Sequence, residues 1–96
     1  MIYFDAGLTE TCTTTTVSQP LKDKKLINHI VESHQVSDRE TCEIKCFLHS
    51  SCVSYNLGQQ LGDSRLCQFS DSDHILYPED LTESHGFTYV ALEVAN

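Results

Sequence analysis

The hydrophobic and polar positions predict one helix near the middle of the chain, within residues 37–52. Ser37 stands three residues before Glu40, which is the spacing of a capping box at the start of a helix. Asp38 places a further negative charge where the helix dipole is positive. We therefore predict that a short helix is capped by Ser37.

The two sides of this helix differ in their chemistry. Cys42 and Cys46 are four residues apart and therefore share one side. The opposite side carries an apolar stripe at helical spacing, formed by Ile44, Phe47 and Leu48. We predict that bonds from the cysteine sulfurs hold one side of the helix to the rest of the domain and that the apolar stripe on the other side packs against it.

Alternating and β-branched positions predict strands on both sides of the helix. The strands are expected at residues 11–18, 26–36 (one bent strand or two short ones), 53–57, 65–69 and 87–94. Three connections are predicted: a charged turn at 21–25, a hairpin loop at 58–64 and a long connection at 70–86. His29 and His34 are interpreted as ordinary strand residues.

The 96 residues include five cysteines, at positions 12, 42, 46, 52 and 67. A domain of this size buries only ~60–65 % of the surface that its unfolded chain exposes, so its core gives a small stability margin. Because small secreted domains compensate with disulfides, we expect an extracellular or secreted protein. The alternative is a cytosolic protein with free or metal-bound thiols.

Residues 1–20 are predicted to form an N-terminal arm or edge strand, and residues 21–96 the domain itself.

The net charge of −8 argues against a nucleic-acid or heparin surface, which needs clustered Lys and Arg. No apolar run approaches the ~20 residues that span a bilayer, so no membrane insertion is expected. The first residues have neither the basic nor the apolar region of a signal peptide. We therefore expect a mature fragment or one module of a longer protein.

Six acidic residues and no Lys or Arg follow from Leu66 onward. Asp71-Ser72-Asp73, together with Glu79-Asp80, raises the hypothesis of a calcium site with oxygen ligands. This segment lacks the spaced Asp/Asn residues and the glycine of an EF-hand. A solvated acidic loop is therefore the favoured interpretation.

Spacing alone does not decide how the five cysteines are connected. Cys42 and Cys46 point outward in parallel from one side of a helix, which is a poor arrangement for bonding to each other. A nested connection, with Cys46–Cys52 inside Cys42–Cys67, would link the helix to the next strand and to the strand after it. In the chain-entropy model these two loops stabilise by roughly 2.5 and 3.5 kcal/mol.

The cysteine spacing and the strand after it resemble the core of a PAN/apple domain. The matching residues are Cys42-x3-Cys46-x5-Cys52-Val53-Ser54-Tyr55-Asn56, followed by Cys67-Gln68-Phe69. The resemblance covers about residues 24–94. It implies a disulfide-stapled α+β domain, in which a single helix packs on a curved antiparallel sheet of about five strands. It also implies the disulfide pairs Cys42–Cys67 and Cys46–Cys52.

The chain departs from apple-type domains at their third disulfide, which joins the N- and C-terminal segments. Cys12 resembles the first half of that bridge, but no cysteine follows Cys67. Cys12 is therefore expected to be unpaired within this chain. Its partner is expected beyond residue 96 of a longer protein, with a bond between chains or a free thiol as the alternatives.

The resemblance implies an extracellular module of a mosaic protein that binds a protein or carbohydrate partner without catalysis. The loops at 58–64 and 70–86 are the predicted contact surface, since loops on rigid scaffolds commonly carry binding. No Cys-x-x-Cys, Gly-x-Ser-x-Gly or phosphate-binding glycine loop is present, and we expect no enzyme activity and no cofactor. One alternative is a purely structural matrix or filament module. The other is an intracellular zinc module that uses Cys42, Cys46, His49 and Cys52.

Overall fold

The computed structural model describes residues 14–95, with side chains described for residues 17–92. Cys12 lies outside the described residues. The elements in chain order are β1 (Thr14–Val17), β2 (Leu21–Leu26), β3 (Ile30–Val36), α1 (Arg39–Leu48), β4 (Ser54–Leu57), β5 (Arg65–Ser70) and β6 (Leu81–Ala95). A single 3₁₀ turn, Pro78–Asp80, precedes β6. The ten-residue α1 is too short to cross a membrane, and the described part of the chain has no other helix that could do so.

The strands form one antiparallel sheet that is five positions wide. β6 is the longest strand, and β1 and β2 follow one another along one of its sides, with Thr14 opposite Ala95 and Leu26 opposite Leu81. The other side of β6 pairs with β4, and β5 and β3 complete the sheet. One helix on a five-position antiparallel sheet confirms the predicted α+β architecture.

One face of the sheet is covered by the helix. Alternate residues of β4, β5 and β6 point to this face, as the two-residue period of a strand requires. The buried cluster there consists of Val36, Cys42, Cys46, Cys52, Tyr55, Leu57, Cys67, Phe69 and Val90. Cys42 is bonded to Cys67 on β5, and Cys46 is bonded to Cys52 just before β4. The helix is therefore fixed covalently to two places on the sheet.

The other face of the sheet is covered by the ribbon of β2 and the first half of β6. The buried Asn56 side chain connects the two layers, because its Oδ1 accepts from the Leu26 N–H at 2.8 Å and its Nδ2 donates to the Leu26 carbonyl at 2.9 Å. Leu26, Tyr89 and Ala91 form a second buried cluster on this side. Ser54 Oγ also donates to the Ser72 carbonyl at 2.7 Å, which holds the connection after β5 against the same face.

The predicted packing of the apolar helix stripe is wrong. Ile44, Phe47 and Leu48 are 52 %, 54 % and 75 % exposed, whereas Cys42 and Cys46 are fully buried. The physical reason is that both disulfides draw the cysteine side of α1 onto the sheet. The opposite side of the helix must then face solvent.

The predicted capping residue is also wrong, by one position. Asp38, not Ser37, is the N-cap of α1, and its Oδ1 accepts from the Thr41 N–H at 2.8 Å. A carboxylate at this position satisfies an unpaired N–H and also faces the positive end of the helix dipole. Hydrogen bonds from the side chain and the backbone of Thr41 lower the pKa of Asp38.

Replacing Asp38 by alanine should lower the melting temperature by roughly 2–8 °C at pH 7, because an N-cap acceptor is lost. Since the pKa of Asp38 is lowered in the folded protein, its contribution is complete above the ordinary value of 3.8 and is lost as the pH falls through the lowered value. Thermal unfolding followed by circular dichroism from pH 7 to pH 2 measures both effects. Asp38→Asn, which keeps an acceptor oxygen, is the control. An Asp38→Ala protein as stable as the wild type at pH 7 would contradict this role.

Two predicted connections differ from the structure because β2 and β6 pair with each other. The charged turn expected at 21–25 is part of β2, and the connection expected at 70–86 is shorter because β6 begins at Leu81. Cross-strand contacts such as Lys24 Nζ to Glu83 Oε1, at 2.9 Å, allow charged residues to form this partly buried ribbon. The expected strand at 26–36 is interrupted after Leu26, where Asn28 adopts a positive φ of 73°.

Candidate ligand-binding hollows

Two adjoining surface pockets, called hollows here, lie at the end of the sheet where the loop between β4 and β5 connects these two strands. The first, here called the Leu66 hollow, has a volume of about 260 Å³ and is lined by Gln35, Gly58, Gln59, Leu61, Ser64, Leu66, His85, Gly86 and Phe87. The second, here called the Lys22 hollow, has a volume of about 470 Å³ and is lined by Lys22, Asp23, Gln59, Gln60, Arg65, His85, Gly86, Phe87 and Thr88. Residues from β2, the β4–β5 loop and β6 therefore converge on one site.

An irregularity in β2 forms one wall of the Lys22 hollow. The pairing register with β6 shifts between Lys22 and Lys24, and Asp23 adopts a positive φ of 61°. Its Oδ1 accepts from the Gly86 N–H at 3.0 Å and lies 3.8 Å from His85 Nδ1. Bulges of this kind redirect side chains at functional sites, and a non-glycine residue in this region carries a cost that its surroundings must offset.

Gly86 allows the β4–β5 loop to approach β6 closely. Its φ is +89°, and a Cβ at this position would lie 2.6 Å from Gln59 Oε1. A residue with a side chain would therefore be strained in its backbone and would also displace Gln59. Because both residues line both hollows, the glycine determines the shape of the site.

Replacing Gly86 by alanine should reduce the free energy of unfolding by about 1–3 kcal/mol and move the Gln59 side chain out of its position. Gly62→Ala is the matched control, because Gly62 also has a positive φ, of 66°, but no atom lies within 4 Å of the place that its Cβ would occupy. Chemical denaturation measures the stability of both variants, and the side-chain amide resonances of Gln59 report its displacement. Unchanged Gln59 resonances in Gly86→Ala would contradict the close approach.

The β4–β5 loop is closed by hydrogen bonds at its base. Arg65 Nε donates to the Gly58 carbonyl at 2.8 Å, and the Gly58 N–H donates to the Leu66 carbonyl at 2.8 Å. Ser64 Oγ donates to Gln35 Oε1 at 2.9 Å, which links the loop to β3. The loop is therefore held in a defined conformation, and a ligand bound there would cost it little further conformational entropy.

The hollows combine polar groups with one aromatic ring and a local excess of positive charge. Lys22 and Arg65 line the Lys22 hollow, and Lys25 Nζ lies 4.6 Å from the centre of the Phe87 ring. Asp23 is the one acidic residue that lines it. The chain as a whole has a net charge of −8 and six Lys and Arg residues, so half of its basic residues gather around this site.

A third hollow, of about 340 Å³, lies beside α1 and places two histidines around Glu32. His34 Nε2 and His49 Nε2 lie 2.8 and 3.1 Å from its two carboxylate oxygens. Hydrogen bonds from His34 and then from His49 lower the pKa of Glu32. His49 is the C-cap of α1: its backbone N–H donates to the Cys46 carbonyl, while its ring is directed to Glu32.

The two loops that were predicted to form the contact surface come together only in part at the hollows. The loop at 58–64 lines both hollows, whereas only His85 and Gly86 from the segment at 70–86 reach them. Residues 71–80 lie at the opposite end of β5. Lys22, Asp23 and Phe87 were not predicted from the sequence as part of a site, because their convergence depends on the pairing of β2 with β6.

Among residues 17–92, no three His, Cys, Asp or Glu side chains are arranged to hold a metal ion, so neither the zinc nor the calcium hypothesis gains support there. Three of the four cysteine or histidine ligands in the zinc hypothesis, Cys42, Cys46 and Cys52, have their sulfurs in disulfides. In the calcium hypothesis, the Asp73 carboxylate instead accepts from two backbone N–H groups of its own loop. Asp80 accepts from Asn28 and contacts His29.

A helix that two disulfides join to a five-position antiparallel sheet defines a disulfide-stabilised α+β domain. The family model described as PAN domain matches residues 11–94, and the chain belongs to this family. The match confirms the resemblance seen in the cysteine spacing. Comparisons with curated proteins and with solved structures gave no match. PAN domains are protein- or carbohydrate-binding modules of extracellular proteins and are generally non-catalytic.

Proposed function

We propose that this chain is a non-catalytic extracellular recognition module of a larger mosaic protein, and that it binds a protein or carbohydrate ligand in the Leu66 and Lys22 hollows. The observation that carries the proposal is the contact of the β4–β5 loop with the wall formed by Asp23 and Gly86. This contact brings side chains of β2, the β4–β5 loop and β6 around one concave site. Membership of the PAN domain family supports a binding role.

The chemistry of the hollows suits a ligand rich in hydroxyl or amide groups. The side-chain amides of Gln35, Gln59 and Gln60 each carry donors and an acceptor, so they can match either kind of group. Phe87 adds an apolar surface on which the flat side of a sugar ring or a peptide side chain can lie. Binding sites commonly combine a few directed polar groups with apolar walls in this way.

Binding is tested with a glycan array and a panel of purified extracellular proteins, each probed with the isolated chain. Lys22→Ala and Gln60→Ala remove exposed groups of the Lys22 hollow without removing a hydrogen bond that closes the base of the loop. We expect each to weaken binding at least about tenfold, as replacement of an important contact residue does. Lys45→Ala is the matched control, because Lys45 lies on α1 outside both hollows.

The purely structural matrix or filament module is the second candidate, and the same experiment separates the two. Absence of any glycan or protein ligand would favour the structural role. A ligand whose affinity falls equally in Lys22→Ala and Lys45→Ala would overturn the assignment of the hollows. A ligand lost only in the hollow variants supports the proposal.

A further inference from the structure

The connection between β5 and β6 exposes bulky apolar side chains at its tip. Ile75 and Leu76 are each 70 % exposed, and the neighbouring Tyr77 is 39 % exposed. Contiguous exposed apolar patches on soluble proteins often mark a surface that contacts another molecule. The tip lies at the opposite end of β5 from the two hollows, roughly 17 Å away at about 3.4 Å per strand residue.

The exposed tip is held in a defined conformation. Asp73 Oδ1 accepts from the N–H groups of Ile75 and Leu76, at 3.0 and 3.1 Å, and the Asp73 carbonyl accepts from the Tyr77 N–H at 3.1 Å. Tyr77 also packs against the His29 ring, with the ring centres 4.1 Å apart. A loop fixed in this way loses little conformational entropy when a partner covers it.

A second exposed apolar pair adjoins the tip through His29. The Asp71 N–H donates to the His29 carbonyl at 3.1 Å, and the two residues that follow His29 are Ile30 and Val31, which are 39 % and 43 % exposed. We call these exposed residues, which His29 links to the tip, the apolar patch: Ile30, Val31, Ile75, Leu76 and Tyr77. Half of the large hydrophobic residues exposed in the described part of the chain belong to it.

The two chain segments that carry the apolar patch contain acidic residues but no Lys or Arg, although Glu32 faces the hollow that Lys45 also lines. Asp71, Asp73 and Glu79 lie on the same connection as the tip, and Glu32 follows the Ile30–Val31 pair. Neither segment that forms the patch, 27–38 or 66–96, contains a Lys or Arg. The exposed stripe on α1 differs in this respect, since Arg39 and Lys45 share that helix with its acidic residues.

We propose that the apolar patch binds a second protein, in a pocket that is apolar at its centre and rimmed by Lys or Arg. Apolar contact supplies the affinity, and the acidic surroundings select a partner of opposite charge. Two copies of this chain meeting patch to patch would bring their acidic residues together, and an anionic membrane would repel them. Because the patch and the hollows are at opposite ends of β5, the module can hold two partners at once.

The test uses a panel of purified extracellular ectodomains and the double variant Ile75→Ser/Leu76→Ser. Both residues are largely exposed, so the substitutions should leave the fold intact, which circular dichroism verifies. Ile44→Ser/Leu48→Ser removes a similar exposed aliphatic pair from α1 and is the matched control. For an ectodomain that the wild-type chain binds, we expect the double variant to bind at least about tenfold more weakly. The control variant should bind it with the affinity of the wild type.

Salt dependence tests the charge of the partner. Raising NaCl from about 50 to about 500 mM should weaken the interaction, because opposite charges at the rim are screened. Equal binding by the double variant and the wild type, or no ectodomain that binds the patch, would overturn the proposal. So would affinity that is insensitive to salt. Sedimentation showing a dimer that the double variant dissociates would assign the patch to a second copy of the chain instead.

Discussion

Replacing Cys42 and Cys67 together by alanine should reduce the free energy of unfolding by about 3.5 kcal/mol. This disulfide spans 25 residues and fixes α1 to the middle of the sheet, so its loss releases a long loop in the unfolded chain. Because small domains are stable by only about 5–15 kcal/mol, the variant should be largely unfolded under mild denaturing conditions. Urea denaturation of the oxidised protein, followed by circular dichroism, measures the loss.

Cys46→Ala/Cys52→Ala provides the comparison, because it also removes two buried sulfurs but opens a loop of only six residues. The chain-entropy model gives about 2.5 kcal/mol for this bridge. The difference between the two double variants therefore reports loop length, since the packing losses are similar. Equal losses, or a larger loss for the Cys46–Cys52 bridge, would contradict this explanation.

Replacing Asn56 by alanine should reduce the free energy of unfolding by about 2–4 kcal/mol, because a buried donor and a buried acceptor lose their partner together. The groups are the N–H and carbonyl of Leu26, which is fully buried and donates and accepts its hydrogen bonds through the Asn56 amide. The end of β2 should then detach from the face of the sheet that it covers. Urea denaturation gives the energy, and amide hydrogen exchange at Leu26 locates the change.

Gln68→Ala is the control for Asn56, since Gln68 Oε1 accepts the longer hydrogen bond, of 3.3 Å, from the same amide nitrogen. Removing it leaves both bonds to Leu26 in place, and its cost should stay below about 1 kcal/mol. An Asn56→Ala variant no less stable than Gln68→Ala would show that the amide does not hold β2. So would full protection of the Leu26 amide in the Asn56→Ala variant.

Elements with a strong local pattern could be predicted from the sequence. The helix has a capping residue and helical spacing, and the strands at 53–57 and 65–69 have alternating apolar positions; the structure has elements at those places. The Cys-Val-Ser-Tyr-Asn run also has a structural explanation. Tyr55 points to the helix face of the sheet, whereas Ser54 and Asn56 point to the other face and bind the segments that cover it.

Features that depend on pairing between residues far apart in the sequence could not be predicted from such local patterns. Residues 21–25 are mostly charged, and they form a strand only because β6 lies beside them. The usual rule for amphipathic helices places the helix stripe in the core, but the disulfides reverse which side of α1 is buried. The Lys22 hollow depends on the positive φ of Asp23, and nothing in the neighbouring residues indicates that conformation.

The pairing of β1 with the end of β6 has a mechanical consequence. Thr14 lies opposite Ala95, so the polypeptide enters and leaves this part of the sheet at adjacent points. Tension applied to residues 14 and 95 in opposite directions would peel β1 from β6 one residue pair at a time, instead of loading all their hydrogen bonds together. Such a zipper opens at low force, while the two covalent bridges keep α1, β4 and β5 joined behind it.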